Sequence, residues 1–233
     1  MELQALAAAT LARTVQRLDP LVLMVDLNGQ VVDRVDCTNE RLPQDLRCAD
    51  SLGAVLSAPV LAEWHALLRE SLARREGIGS MAIIDGRGHA LAIAPNDGPG
   101  AIAMIAIFPS TLCTGSRAID SSIPQVELMN HEWGRLDCLS RGQLDTLRSV
   151  TLGFTNDQIA ERVHRTKRAI EWHIRFLNQL LGVHGREDLA TIGREAGLCC
   201  FSDEGWAGVM RTRPSRRDSG SPEMPEPKPL RVA

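Results

Sequence analysis

Residues 155–183, TNDQIAERVHRTKRAIEWHIRFLNQLLGV, carry a periodic apolar pattern. Their apolar members recur three or four positions apart, the spacing of one helix face: Ile159, Ala160, Val163, Ile170, Ile174, Leu177 and Leu181. Thr155 and Thr166 stand where helix N-caps belong, and Gly182 follows the last apolar residue as a helix end. The pattern predicts two helices, over 156–163 and 167–181, joined by a tight turn.

Two further helices flank this pair along the chain. Ser140 is a candidate N-cap for a helix over 141–152, which Gly153 ends. A fourth helix is predicted over about 186–196, because Gly197 follows it. Residues 135–200 are therefore predicted to form a separate, all-α domain of four helices.

Positive charge is concentrated in the second helix of the pair and the turn before it. The whole chain has a formal net charge of −3, and residues 1–115 hold 9 basic and 13 acidic side chains. Between Arg162 and Arg175, by contrast, five basic side chains accompany one acidic residue, Glu171. A basic helix face in an otherwise acidic chain is typical of proteins that contact nucleic-acid phosphates.

Leu139 to Leu198 resembles the LuxR-type (GerE-like) DNA-binding domain of bacterial transcriptional regulators. The likeness spans about 60 residues and rests on LSRGQLDTL at 139–147, NDQIAERV at 156–163, AIEWHI at 169–174, LLGV at 180–183 and REDLA at 186–190. Arg165 stands at a turn position that is usually apolar in this family, and Gln143 stands where Glu is usual.

The resemblance implies a helix-turn-helix motif at 155–174 that binds double-stranded DNA, with the helix over 167–181 in the major groove. It implies base-edge contacts for Glu171, Trp172 and Arg175. It implies phosphate contacts for a second set: Thr155, Asn156, Arg165, Thr166, Lys167 and Arg168. It also implies a homodimer through the fourth helix, with Leu189, Ile192 and Gly193 as contact residues, and RNA polymerase is a further expected partner.

Alternatives to this interpretation stay open at this point. One alternative is that the charged helix face is an ordinary solvated surface. Another is that Trp172 covers protein surface and does not touch DNA. His173 is expected to pack or hydrogen-bond at the helix edge, beside Ile170 and Ile174. The alternative function is a protein-interaction regulator whose helix-turn-helix no longer binds DNA because Glu171 repels phosphate.

Residues 19–110 combine strand and helix patterns. LVLMVD and QVVDRV lie on either side of Leu27-Asn28-Gly29, and an Asn-Gly pair between β-branched runs predicts a hairpin. Helical spacing over 59–75 is followed by the strand patterns SMAIID, HALAIA and AIAMIAIF. With an amphipathic helix over 1–18 in front, the order predicts an α+β fold: a five-stranded antiparallel sheet with helices on one face. This order resembles a PAS domain, which implies a sensor or dimerisation module.

No cofactor or metal is expected in this part of the chain. His65 is the one candidate for haem ligation, but its place on an apolar helix stripe favours a core histidine. Cys37 lacks the Asn-Cys-Arg context of a flavin-binding PAS site, and the six cysteines show no metal-ligand spacing. A phosphoacceptor receiver domain needs a lysine near the end of its sheet. The only lysines of this chain are Lys167 and Lys228, which lie outside residues 19–110, so a receiver domain is not expected. No nucleophile–base set stands at usable spacing, so an enzyme is not expected.

The remaining segments are predicted to be a linker and a tail. Residues 111–134 are predicted to be a linker with a candidate short helix around 125–133, and residues 201–233 a disordered tail rich in Arg, Ser, Pro and Glu. No stretch approaches 18 uninterrupted apolar residues and no signal peptide is recognisable. We therefore expect a cytoplasmic protein with no membrane partner.

Overall fold

The computed structural model describes residues 20–35, 42–96, 103–109 and 123–213. The predicted helix over 1–18, residues 111–122 of the predicted linker and residues 214–233 of the predicted tail lie outside these ranges. The described chain forms a five-stranded antiparallel sheet with helices, followed by a helical half, so the predicted α+β architecture is confirmed. None of the described helices combines the length and the apolar character that a membrane crossing requires.

The sheet consists of five antiparallel strands: β1 (Leu21–Val25), β2 (Val31–Val35), β3 (Ile78–Ile84), β4 (Arg87–Pro95) and β5 (Ala103–Pro109). Their spatial order is β2-β1-β5-β4-β3, which puts the last strand in the centre. The predicted hairpin joins β1 and β2, and Gly29 has the positive φ of 75° that its turn requires.

Two helices precede β3 and pack with one face of the sheet. They are α1 (Gln44–Cys48) and α2 (Ala58–Arg74). Trp64 and Leu68 of α2 are fully buried in the same core as Leu91 and Ile105 of the sheet. Each such side chain contributes about 1.5–3 kcal/mol by leaving water. This core joins the two helices to the sheet.

Residues 123–133 are not helical, so the candidate helix around 125–133 is wrong. The segment runs beside β3: Gly79 N–H donates to Pro124 O (2.8 Å), and Val126 N–H donates to Gly79 O (2.9 Å). Further along, Glu132 N–H donates to Ile83 O (2.8 Å). The edge of β3 offers unpaired backbone groups, and a short isolated helix gains too little to compete with pairing there.

The helical half begins with four helices at the predicted places. They are α3 (Arg141–Thr151), α4 (Asn156–Arg162), α5 (Lys167–Leu181) and α6 (Arg186–Glu195), each within one or two residues of its expected bounds. Ser140 and Gln143 close a capping box at the start of α3. The local signals for these helices are therefore confirmed.

A fifth helix of this half, α7 (Asp203–Thr212), corrects the prediction that disorder begins at residue 201. Ser202 Oγ accepts from Gly205 N–H (2.9 Å) as an N-cap, and Trp206, Val209 and Met210 are buried in the helical core. These three apolar residues lie on one helix face. The polar, proline-rich residues after α7 dominate the average composition of residues 201–233, and this composition predicts disorder although α7 has an apolar face.

The sheet and the helical half are packed against each other. Ile83 of β3 belongs to the core of the helical half, and Thr212 Oγ1 of α7 donates to Met129 O (2.9 Å). A Cβ atom on Gly88 of β4 would lie 2.8 Å from backbone atoms of Gly197, so only glycine permits this approach. The residues between Ile123 and Trp133 thus join the two halves instead of separating them.

Candidate nucleic-acid interface

Local hydrogen bonds build the helix-turn-helix. Gln158 N–H donates to Thr155 Oγ1 (3.3 Å) and Thr155 N–H donates to the Gln158 side chain (2.8 Å), which closes a capping box at α4. Ala169 N–H donates to Thr166 Oγ1 (3.2 Å) at the start of α5. Between the helices, His164 has a left-handed φ of 51°. These bonds fix the direction in which α5 leaves the turn.

The inner face of the motif is anchored in the helical core. Ile159 of α4 and Ile170 and Leu177 of α5 are completely buried, and Val163, Ile174 and Leu181 pack against the same cluster. Leu144 of α3 and Leu189 of α6 belong to that cluster as well. The predicted apolar stripe is therefore confirmed, and it leaves the opposite face of α5 directed outward.

The structure places the nine predicted DNA-contacting residues on α4, on α5, at their N-caps and in the turn between them. Six of them are exposed: Thr155, Arg165, Thr166, Lys167, Arg168 and Arg175. Three are partly buried: Asn156, Glu171 and Trp172. The roles assigned to these residues in DNA contact stay predictions.

Carboxylates hold two of the five cations in the basic stretch. Lys167 Nζ lies 2.8 Å from Asp157 Oδ2, and this hydrogen bond and the negative charge of Asp157 raise the pKa of Lys167. Arg162 lies 2.8 Å from Asp203 Oδ1 at the start of α7. No carboxylate of the described residues forms an ion pair with Arg165, Arg168 or Arg175.

The sequence did not predict the carboxylate of Asp203, which pairs with Arg148 as well as with Arg162. The Arg148 guanidinium is buried and donates to Asp203 Oδ1 (2.8 Å), Phe201 O (2.8 Å) and Leu198 O (3.3 Å). Hydrogen bonds from Arg162 and Arg148 lower the pKa of Asp203. The signal was available, because Ser202 followed by two acidic residues is a typical helix start.

Asn156 has a structural partner in addition to its predicted role. Its Oδ1 accepts from Arg186 Nη1 (2.7 Å), and the same guanidinium donates to Phe154 O. Desolvation by burial lowers the pKa of Arg186. The start of α6 is thereby tied to the start of α4, which the sequence did not predict for Arg186.

Aromatic rings line part of α5. Trp172 and Phe176 stack with their ring centroids 5.3 Å apart and their planes 6° apart, and Trp172 meets the edge of His173 at 5.5 Å. His173 is partly buried, as expected for a histidine at the helix edge. Desolvation by burial, and next the charge of Arg165, lower the pKa of His173. At neutral pH this ring adds no positive charge to the surface.

The predicted dimer contacts lie inside the protomer. Leu189 and Ile192 are buried in the helical core, and a Cβ atom on Gly193 would fall 1.8 Å from Thr151 Oγ1 of α3. The physical reason is that α6 packs along α3 through the very face that carries these residues. Their burial argues against the assigned role of the three residues, while homodimerisation itself stays a prediction.

His65 and Cys37 were the residues considered for a cofactor site in the N-terminal half. His65 is partly buried against the β1–β2 turn, since a Cβ atom on Gly29 would lie 2.8 Å from His65 Nε2. Cys37 lies outside the described residues. Within the described ranges, no group of three or more His, Cys, Asp or Glu side chains is placed to hold a metal ion.

Neither a protein-family model nor a curated protein matches the sequence. Among solved structures, the phage VqmA–DPO complex is 13% identical with a TM-score of 0.35, over 87% of this chain and 96% of that chain. The Vibrio cholerae VqmA–ligand–DNA complex is 15% identical with a TM-score of 0.39, over 83% and 90%. The Vibrio cholerae VqmA dimer without target DNA, described as a LuxR-type receptor, is 13% identical with a TM-score of 0.32, over 81% and 88%. Likenesses this distant carry no ligand, partner or residue role to this chain.

Proposed function

We propose that the chain is a transcriptional regulator that binds double-stranded DNA through α5 and acts by binding instead of catalysis. The observation that carries the proposal is the outward face of α5 and the turn before it. Arg165, Arg168 and Arg175 are exposed there, and no carboxylate of the described chain pairs with them. A helix fixed by one face in a core and basic on the other suits a major groove lined by phosphates.

Base readout is proposed for the middle of α5. Arg175 is exposed and suits a bidentate contact with a guanine edge, and Glu171 suits a cytosine amino group. Trp172 is held by its stack on Phe176, so it presents a fixed apolar edge suited to a thymine methyl group. Sequence preference therefore rests on these three side chains.

Phosphate contacts are proposed for the turn and the two helix starts. Arg165 and Arg168 are exposed and form no ion pair with a carboxylate of the described residues, and Lys167 is held near the start of α5 by Asp157. Backbone N–H groups at the starts of α4 and α5 add donors near Thr155 and Thr166. The resemblance of 139–198 to LuxR-type domains supports the same division of roles.

We extend the proposal to a homodimer on two half-sites, to a PAS-like sensor or interaction role for the sheet and to contact with RNA polymerase. A dimer contact through α6 has to use its exposed residues, such as Thr191 and Arg194, because Leu189, Ile192 and Gly193 face inward. Two half-sites would double the phosphate contacts and raise affinity accordingly.

The test is binding of the full chain to genomic DNA fragments across a salt series. We expect affinity at low salt that falls steeply as salt rises, with a logarithmic slope of about −0.9 for each phosphate contacted. The double variant Lys167→Ala with Arg175→Ala should lose at least about tenfold in affinity, since a bidentate base contact alone supports about 1–3 kcal/mol. Arg69→Ala, at an exposed position on α2, is the matched control and should bind normally. Absence of affinity at low salt, or affinity that ignores salt, contradicts DNA binding.

A second candidate function is a protein-interaction regulator that does not bind DNA. It is favoured by the pairing of Arg162 and Lys167 with carboxylates and by Glu171 on the same surface. Under this alternative, the wild-type chain shows no DNA affinity at low salt, and Glu171→Gln, which removes the charge that repels phosphate, makes binding detectable. Under the leading proposal, the same variant removes one negative charge near phosphate, binds DNA more tightly at low salt and changes the preferred base.

A further inference from the structure

Arg162, the last residue of α4, belongs to the basic stretch but is bound by a carboxylate. Its Nη2 atom lies 2.8 Å from Asp203 Oδ1. Asp203 is the first residue of α7, a helix outside the helix-turn-helix. The Arg162 side chain is 42% exposed, so the ion pair lies at the surface, where another anion can reach the guanidinium.

The Arg162 guanidinium lies close to the start of α4, where phosphate contacts are proposed. Its Cζ atom lies 5.4 Å from the centroid of the Phe154 ring. Phe154 directly precedes Thr155, the N-cap of α4. The Arg162 side chain thus extends back along α4, the direction in which long helical side chains lean. The group that Asp203 binds is therefore a neighbour of the surface proposed to contact DNA.

Asp203 is held in place by contacts that do not involve Arg162. The buried Arg148 guanidinium donates to the same Oδ1 atom (2.8 Å) and to carbonyl groups of the turn between α6 and α7. Ser202, the N-cap of α7, donates through its hydroxyl to Glu127 Oε1 (2.7 Å) in the segment that runs beside β3. Arg162 can therefore leave Asp203 while the carboxylate keeps a partner.

The carboxylate of Asp203 and a DNA phosphate compete for this guanidinium. Both are anions that accept charge-assisted hydrogen bonds from arginine. While Asp203 holds Arg162, the pair has no net charge, so it does not replace a counterion on DNA. Arg165 and Arg168 form no such pair with a carboxylate of the described residues. The ion pair thus removes one basic side chain from the proposed DNA surface.

We propose that Asp203 withholds Arg162 from DNA phosphate, so that α7 lowers the affinity of the helix-turn-helix for DNA. This inference rests on the proposed function and adds a regulatory residue from outside the motif. Because Ser202 ties the start of α7 to Glu127, packing of the helical half on the sheet keeps Asp203 beside Arg162. Loss of this packing would free Arg162 for one more phosphate contact.

The test compares the full chain and its variants for binding to sheared genomic DNA across a salt series. Asp203→Asn should bind up to about fivefold more tightly at low salt, the range that an exposed ion pair supports. Its logarithmic salt slope should become steeper by about 0.9, the value for one more phosphate contact. Glu204→Gln is the matched control, because it removes the same charge from the next, exposed position, and it should leave the slope unchanged.

A second variant identifies the group that Asp203 withholds. Adding Arg162→Ala to Asp203→Asn removes both charges of the pair, so the affinity and the salt slope should return to their wild-type values. Circular dichroism and urea unfolding show whether each variant is folded. If Asp203→Asn does not fold, Asp203→Ser removes the same charge and takes its place.

The outcomes separate this inference from the proposed function. If the wild type binds DNA and the folded Asp203→Asn chain has the same affinity and slope, Asp203 does not withhold Arg162, and DNA binding stands. A gain equal to that of Glu204→Gln, or one that persists after Arg162→Ala, overturns the inference in the same way. If neither the wild type nor Asp203→Asn binds DNA at low salt, both proposals fail. Binding by Asp203→Asn alone supports both.

Discussion

Two histidines are buried between elements of this fold and stay neutral. His131 lies against Trp133 and Phe201, and its Nδ1 accepts from Ile83 N–H (3.2 Å). Desolvation by burial lowers the pKa of His131 to about 4 and that of His89 also to about 4. Both rings therefore remain uncharged in the folded chain at any pH where an exposed histidine would begin to titrate.

We expect these histidines to make the fold sensitive to mild acid. Their folded pKa of about 4 lies below the unfolded value of 6.5, so the unfolded chain binds more protons between these pH values. Stability is therefore full above the unfolded pKa and falls as the pH drops towards the folded pKa. The loss should reach about 2 kcal/mol per histidine near pH 5, measured by urea unfolding.

The variant His131→Gln is the control, because its amide oxygen can still accept from Ile83 N–H while the side chain no longer titrates. Its unfolding free energy should change about half as much between pH 7 and pH 5 as that of the wild type. An unaltered pH dependence would show that His131 does not bind its proton as argued.

We expect Arg148 to contribute far more to the free energy of unfolding than its ion-pair partner Asp203. Arg148→Met leaves the carbonyls of Leu198 and Phe201 without their buried donor, so we expect a loss of about 3–5 kcal/mol in the free energy of unfolding. Asp203→Asn affects a carboxylate whose side chain is 64% exposed, and should cost at most about 1 kcal/mol. Chemical denaturation of both variants measures the difference, and equal losses would mean that the ion pair and not the carbonyl contacts holds the turn.

At the level of elements, α3 to α6 were predictable because their signals are local. Ser140, Thr155 and Thr166 each accept the backbone hydrogen bond that the sequence predicted, and Gly182 has the left-handed φ of a helix end. The segment 123–133 was not predictable in this way, because its hydrogen-bond partners lie on β3, more than forty residues earlier. The buried place of α6 was also hidden, since an apolar face does not reveal whether it meets α3 or a second chain.

The packing of α6 on α3 gives a test with a built-in control. Gly193→Ala places a Cβ atom 1.8 Å from Thr151 Oγ1 and 3.0 Å from its Cβ, so the two helices must move apart. We expect a loss of about 1–3 kcal/mol in unfolding free energy. Gly142→Ala, at a position in α3 with nothing within 4 Å, should instead stabilise by up to about 1 kcal/mol.

Thermal and urea unfolding of both glycine variants gives the comparison. If Gly193→Ala is as stable as Gly142→Ala, the close approach of α6 to α3 is absent in solution. In that case Gly193 is again available for contact with a second chain.

For the whole molecule, we expect the sheet and the helical half to unfold together. Ile83 of β3 lies in the helical core, and Trp133 of the connecting segment packs edge-on at 6.3 Å from Trp206 of α7. Infrared absorption of the sheet and circular dichroism of the helices should therefore report one transition with the same midpoint. Ile83→Ala should lower that midpoint for both signals. Two separate transitions, or a shift in one signal alone, would show that the halves are independent.

The sequence predicted the sheet and the helical half, but it did not predict the contacts that pack them against each other. Strand alternation and helix caps are each contained within about twenty residues, so the sheet and the four helices could be derived from them. The contacts that join the halves, such as Gly88 against Gly197 and Ser202 Oγ to Glu127 at 2.7 Å, pair residues far apart in sequence. The residues of the proposed DNA surface lie close together in sequence, so this surface was predictable. Asp203, which pairs with Arg162, lies about forty residues further along the chain, so this ion pair was not.

The segment beside β3 also limits how these molecules can aggregate. An open sheet that exposes both edges can recruit further chains without end, because every added strand leaves a new edge. Here Pro124, Val126 and Glu132 occupy much of one edge with backbone hydrogen bonds from the same chain. At the opposite end of the sheet, Val31 N–H of β2 donates to Asp50 O (2.9 Å), so this strand also has a backbone partner from the same chain. A further chain can add a strand at the β3 edge only after this segment has detached, which works against growth of the sheet from chain to chain.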